Sequence, residues 1–101
     1  MNTKEATMVR IYLTEGEHRL KDLITQLHDV EKVQGLTVFR GITGFGKSGK
    51  LHSSTLLDVS LDLPLVIEFF DTPERAAAIM EHLSTSMESG HMVSWPAAVN
   101  S

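Results

Sequence analysis

Apolar and polar residues alternate along the segment from residue 8 to residue 14. Val9, Ile11 and Leu13 share one face of this segment, and a period of two residues predicts a β-strand because successive side chains of a strand point to opposite faces. Alternation and runs of β-prone residues predict three further strands, over 36–42, 61–70 and 93–99. Residues 1–7 show no period and are expected to form a flexible N-terminal tail before a single domain that spans 8–101.

A helical period separates the strands in two places. Apolar residues recur at helical spacing over about 17–33 and predict the first helix. Thr14 and Glu17 have the spacing of a capping box at its start, and Gly35 suits a left-handed cap at its end. The Thr-Pro pair at 72–73 begins the second helix, because proline is favoured at the first helical position. The apolar stripe of this helix consists of Ala76, Ile79, Met80, Leu83 and Met87.

The predicted order is strand, helix, strand, strand, helix, strand. This order is typical of the ferredoxin-like fold, an α+β arrangement in which a four-stranded antiparallel sheet carries both helices on one face. The third predicted strand is apolar on both sides, since Val66 and Phe70 lie opposite Leu65 and Ile67. The helices cover only one side of such a sheet, so a second copy of the chain is expected to cover the other.

Charge is distributed unevenly along the chain. The net charge is −4, which argues against nucleic acid as a partner, because nucleic-acid binding needs many phosphate contacts from a basic face. Residues 40–50 reverse this sign, with Arg40, Lys47 and Lys50 and no acidic residue. This positive segment overlaps the start of a connection over about 43–60, in which apolar residues show no period. Loops of this length are usually functional or disordered.

Composition excludes several classes of protein and site. The chain of 101 residues has no cysteine, which excludes a disulfide framework, a thiol nucleophile and a zinc–thiolate centre. No apolar stretch approaches the ~20 residues of a membrane-spanning helix and nothing resembles a signal peptide, so the expected location is the cytoplasm, without membrane insertion. The five histidines have no metal-ligand spacing, and no catalytic residue is assigned.

The positive segment contains two glycine motifs. Gly41–Ser48 matches the phosphate-loop pattern GxxxxGK(S/T), and the glycines at 44, 46 and 49 match GxGxxG. Glycines let successive backbone N–H groups point at one anion, and a lysine adds positive charge. The segment after Lys47 is a poor helix start, and the chain is short for a nucleotide-hydrolysing sheet. Binding without hydrolysis is therefore favoured, and a flexible, turn-rich loop is the alternative.

Four features of the sequence point to one family. They are Arg10–Glu15 (RIYLTE), Gly35–Gly46 (GLTVFRGITGFG), the loop histidine His52, and Leu63–Asp71 (LPLVIEFFD). Together they resemble the PII-like family catalogued as domain of unknown function 190, and the resemblance covers about 8–99. It implies a ferredoxin-like subunit of a homotrimer, similar in shape to the PII signalling proteins. Those proteins bind adenine nucleotides in clefts between subunits and contact partner proteins, often membrane transporters, through the long loop after the second strand.

Candidate ligand-binding residues follow from the resemblance and from the charge of the loop. The resemblance implies Arg40, Gly41, Gly44, Phe45, Gly46 and His52. Loop geometry and charge add Lys47, Gly49 and Lys50.

The leading hypothesis is a non-enzymatic sensor. A homotrimer would bind an adenine nucleotide or another small anion and regulate a partner protein, such as a membrane transporter, through the loop. Two alternatives stay open. One is a small enzyme on the same scaffold, for which only His52, Glu68 and Tyr12 offer titratable groups, and the other is a purely structural interaction module.

Overall fold

The computed structural model describes residues 1–46, 52–53 and 62–101, and it has the α+β architecture that the sequence predicts. The strands are β1 (Thr3–Thr14), β2 (Leu36–Arg40), β3 (Thr43–Gly44), β4 (His52–Ser53), β5 (Pro64–Asp71) and β6 (Met92–Asn100). Four of them form the main sheet in the order β2-β5-β1-β6, with every neighbouring pair antiparallel. The strands β3 and β4 pair separately, at the start of the long connection.

Two helices complete the fold. The first, α1 (Leu20–Thr25), continues as a π-helical turn over Gln26–Val30, and the second is α2 (Pro73–Ser84). Both contribute to one core with the inner side chains of β1 and β5, so both cover the same side of the sheet. The buried members of this core are Val9, Ile11, Leu13, Leu23, Leu27, Leu65, Ile67, Phe69, Ala76, Ile79 and Leu83.

The second helix begins where the sequence predicts. The hydroxyl of Thr72 accepts a hydrogen bond from the Arg75 N–H at 3.3 Å, and Pro73 occupies the first helical position. Two side chains of α2, one in its last turn and one in its first, contact the turn that follows α1. Nδ1 of His82 lies 3.1 Å from both carboxylate oxygens of Glu31, and Nη2 of Arg75 donates to the Glu31 carbonyl at 2.6 Å. These contacts fix the two helices relative to each other, and the Glu31 side chain is only 7% exposed.

The first helix is shorter than the sequence predicts. Thr14 is still extended, as the last residue of β1, and its side chain makes no capping bond, so the expected capping box is absent. A 3₁₀ turn and a left-handed residue, His18 with a φ of 55°, come before the helix. The predicted left-handed cap at Gly35 is also wrong, because Lys32 takes that conformation with a φ of 57°.

Strand boundaries also differ from the sequence prediction. The first strand begins at Thr3, which is paired with Asn100 of β6, so most of the expected N-terminal tail belongs to the sheet. The second strand ends at Arg40 instead of residue 42, and the third main strand begins at Pro64 instead of residue 61. The two-residue pairing of β3 with β4 lies in a segment that the sequence predicts to be irregular. Pairing across the sheet sets these limits, which a local pattern does not show.

The side of the sheet without helices is rich in exposed apolar groups. It carries Tyr12, Phe39, Phe70, Val93 and Trp95, each between 38% and 50% exposed. We call this surface the open face. Its character agrees with the two-sided apolarity that the sequence shows. None of the helices in the described ranges combines the length and the apolar character needed to cross a bilayer.

Candidate functional site

A cavity of about 760 Å³ lies at one end of the main sheet, where the long connection begins. Its walls come from the end of β1 (12–14), the start of β5 (64–66), the glycine-rich segment 41–46 and the turn before β6 (88–91). This volume is within the ~300–1,000 Å³ range of ordinary small-molecule sites. Four of the residues proposed from the sequence line it: Gly41, Gly44, Phe45 and Gly46.

The glycine-rich segment follows the wall of the cavity because its backbone packs directly on Pro64. The Gly41 N–H donates to the Pro64 carbonyl at 2.7 Å, and a Cβ at Gly41 would lie 2.8 Å from Cγ of that ring. A Cβ at Gly44 would lie 3.4 Å from Cγ of the same proline ring. Glycine at 41 is therefore required by a close approach, and its N–H is committed to the sheet rather than aimed at a ligand.

His91 is a cavity residue to which the sequence assigned no role. Its Nδ1 lies 3.1 Å from the Tyr12 carbonyl oxygen, and since a carbonyl only accepts, Nδ1 carries the hydrogen. The Tyr12 N–H in turn donates to the His91 carbonyl at 2.9 Å. The ring is therefore held with Nε2 turned towards Glu88, 3.7 Å from its carboxylate. A lone histidine outside any motif gives no signal in the sequence, and only the contact with β1 identifies it.

The Arg40 side chain is not among the residues that line the cavity. It lies at the end of β2, paired in register with Leu65, and its Nε is 2.5 Å from Oε1 of Glu15. Glu15 follows β1 directly, so the ion pair spans the start of β5. The positive charge of Arg40, one of the cations that the sequence offers for an anion, thus already has a carboxylate partner.

The other predicted residues are placed only in part. The backbone of His52 is paired with Gly44 in the β3–β4 ladder, which brings the loop histidine's position in the chain next to the glycine-rich segment. Lys47, Gly49 and Lys50 lie outside the described residues. The described lining contains the carboxylates Glu17 and Glu88 and neither lysine nor arginine. In residues 1–46, 52–53 and 62–101, no group of three acidic or histidine side chains has the arrangement of a metal site.

The cavity meets the open face at Tyr12 and Val66, which line the cavity and point to the helix-free side of the sheet. Further along that face, Arg10 forms an ion pair with Glu68, and its guanidinium lies 5.3 Å from the centre of the Trp95 ring. The hydrogen bonds to Glu68 and then to Tyr12 raise the pKa of Arg10 above its ordinary value. Arg10 therefore carries its charge at any physiological pH.

Comparisons with known proteins agree with this architecture. The model of the DUF190 family, described as Uncharacterized ACR, matches residues 6–99. A UPF0166 protein of Aquifex aeolicus (strain VF5) is 37% identical over 68 residues, which cover 67% of this chain and 69% of the relative.

Two solved structures share the fold. The chain resembles CPII of Thiomonas intermedia K12, bound to ADP and bicarbonate, with a TM-score of 0.67 and 22% identity over 97% of this chain and 89% of that one. It also resembles a protein of Thermus thermophilus described as PII-like, with a TM-score of 0.66 and 17% identity over 98% and 91% of the two chains.

Proposed function

The chain belongs to the DUF190 family and has the fold of PII-like proteins, and from this premise we propose that it is a non-enzymatic, ligand-binding regulatory protein. Its ligand is a small anion of the adenine nucleotide class, bound in the cavity beside the glycine-rich segment. The observation that carries this proposal is the cavity itself, because four residues proposed from the sequence meet there. The ADP in the structure of CPII supports the choice of ligand class.

The apolar part of the cavity suits a nucleotide base. Phe45 lines the wall and is 72% exposed, so its ring is accessible to a planar ligand. Tyr12 and Val66 add further apolar surface to the lining. Every nucleobase has a π face, and stacking on an aromatic ring is favourable for all of them.

We further propose that the protein acts as a homotrimer in which the open face is covered by neighbouring copies. Five large apolar side chains on one face form a patch that a monomer in water would not favour. Because Tyr12 belongs both to this face and to the cavity, a neighbouring copy would lie beside the ligand. A cleft between subunits, which the family resemblance implies, is thus compatible with the position of the cavity.

The regulated partner is a proposal that rests on the family resemblance. The long connection leaves the sheet at the cavity, next to Gly41, and returns to it at Pro64. A ligand bound between these points would contact the connection where it begins. A partner protein, such as a membrane transporter, would then respond to the ligand through this segment.

Calorimetry with ADP tests the ligand-binding proposal, with chromatographic analysis of the nucleotide after incubation. We expect saturable binding at one site per chain with the ADP recovered unchanged. Absence of binding would contradict the proposal. Steady conversion of ADP to another product would instead support an enzyme, for which Tyr12, Glu17, Glu88 and His91 are the titratable groups of the described lining.

A further inference from the structure

Arg40 is the only cation among the described residues of the predicted site, and it is already engaged by Glu15. We propose that Glu15 is a built-in competitor for the anionic group of the ligand. It occupies Arg40 until an anion replaces it, and it thereby sets both the affinity of the site and its preference for charged over neutral ligands. This inference rests on the proposed function and names the residue that tunes it.

The position of the pair gives an anion access to Arg40. Arg40 comes immediately before Gly41, which lines the cavity, and its partner in register is Leu65, another lining residue. The Arg40 side chain is 67% exposed, whereas that of Glu15 is 20% exposed. The Arg40 side chain is therefore mostly open to solvent on a backbone that borders the cavity, whereas the carboxylate of Glu15 is mostly shielded.

The contact between Arg40 and Glu15 does not have the geometry of an optimal hydrogen bond. It joins Nε of Arg40 to Oε1 of Glu15, a buried oxygen that has no donor in good hydrogen-bonding geometry. The contact is thus an ion pair rather than an aligned hydrogen bond. A phosphate group can accept two parallel N–H bonds from one guanidinium, which is a stronger and more directional interaction.

Displacement of Glu15 requires only a side-chain movement. The Glu15 N–H donates to the Leu63 carbonyl at 2.9 Å, and the Gly16 N–H donates to Oδ1 of Asp62 at 2.6 Å. A Cβ at Gly16 would lie 2.6 Å from the same oxygen, so a side chain there would have to displace the Asp62 carboxylate. These bonds hold the backbone under Glu15 in place while its carboxylate rotates away from Arg40.

Competition of this kind has a measurable consequence. When the competent state is only partly populated, the apparent affinity falls in proportion to the competent fraction. A neutral ligand such as adenosine does not use Arg40, so its affinity does not depend on Glu15. Removal of the Glu15 charge should therefore strengthen the binding of ADP and leave that of adenosine unchanged.

The test is calorimetry with ADP and with adenosine on four variants: E15Q, E81Q, R40A and the double variant E15Q/R40A. E81Q removes the same charge from an exposed position on α2 and is the matched control. We expect E15Q to bind ADP about threefold to fivefold more tightly, the upper range for an accessible ion pair. E81Q should bind ADP like the unaltered protein, and the double variant should bind it like R40A, because the competition needs Arg40.

The possible outcomes separate the inference from the function. Equal affinity of E15Q and E81Q for ADP, in a protein that binds ADP, overturns the competitor and leaves the proposed function standing. If neither the unaltered chain nor any variant binds ADP, both the competitor role of Glu15 and the proposed function are overturned. Circular dichroism shows whether E15Q is folded. If it is not, E15D replaces it, since a carboxylate that is shorter by one methylene should hold Arg40 less well and shift ADP affinity in the same direction by a smaller factor.

Discussion

Arg10 and Glu68 stand directly opposite each other on β1 and β5 and form an ion pair in the middle of the apolar open face. The hydrogen bond from Nε of Arg10 to Glu68 measures 3.0 Å, and the Trp95 ring lies over the guanidinium. A pair that becomes buried on association contributes little net affinity, because desolvation offsets the attraction. We expect it instead to fix the alignment of the copies, since a shifted packing would leave both charges against apolar groups.

The open face predicts the response of the assembly to a new charge. Phe39 lies opposite the apolar Val66 on β5 and is 50% exposed, so Phe39→Glu would bury a carboxylate between copies with no cation at its cross-strand position. An uncompensated buried charge costs several kcal/mol. We expect light scattering to show dissociation of the proposed trimer into monomers.

Val30→Glu is the control for this substitution. Val30 belongs to the π-helical turn, away from the open face, and is 70% exposed. The same charge at this position should leave the molar mass of the assembly unchanged. A trimer that survives Phe39→Glu would show that the copies associate through another surface.

The position of Phe45 in the cavity lining leads to a prediction about how the cavity holds a nucleotide base. Phe45→Ala removes the aromatic wall, and loss of one base–aromatic stack weakens binding by about 1–3 kcal/mol. Calorimetry with ADP should show this loss. Ile42→Ala is the matched control, because Ile42 is 79% exposed and is not part of the described lining. Equal losses from the two substitutions would place the ligand elsewhere.

The contact between Gly41 and Pro64 predicts a loss of stability that is independent of any ligand. In Gly41→Ala the new methyl group would lie 2.8 Å from the proline ring, and overpacking of this kind costs about 1–3 kcal/mol. Denaturant unfolding should show a lower midpoint. Gly46→Ala serves as the comparison, because nothing lies within 4 Å of its Cβ position. If both variants unfold at the same midpoint, the close packing is not rigid.

The contacts of Glu31 lead to a prediction about how much the link between the two helices stabilises the fold. Glu31→Ala removes an almost fully buried carboxylate that contacts His82 and Gln26. Hydrogen bonds to charged groups contribute about 1.5–3 kcal/mol, so the free energy of unfolding should fall by an amount in this range. Glu81→Ala, on the exposed side of α2, should change it by less than about 0.5 kcal/mol. A Glu31→Ala variant as stable as Glu81→Ala would contradict the assigned role.

Local signals explain which parts of the fold were predictable. The start of α2 depends on two adjacent residues, Thr72 and Pro73, and its buried stripe on a short period, so both follow from the sequence. The start of α1 was predicted wrongly because Thr14 pairs with Pro64 of a distant strand and stays extended. The extension of β1 to Thr3 likewise depends on its pairing with β6.

The candidate site, like the fold, was predictable only where local sequence signals mark it. The glycine-rich run that lines the cavity is visible as a motif, and Phe45 belongs to the sequence that resembles the family. The ion pair of Arg40 with Glu15 is not visible, because it depends on how β1, β5 and β2 are ordered in the sheet. His91 was missed for a similar reason, since its partner Tyr12 lies on another strand.

The bond between Gly41 and the Pro64 carbonyl also has a consequence for the evolution of the family. This bond joins the two ends of the long connection at one point of the sheet. The distance between those ends therefore stays the same whatever the number of residues in the connection. For a flexible loop closed in this way, each doubling of length costs only about 0.6 kcal/mol. Insertions and deletions between these two residues should therefore be tolerated by the sheet, which leaves the connection free to diverge among relatives while the scaffold stays the same.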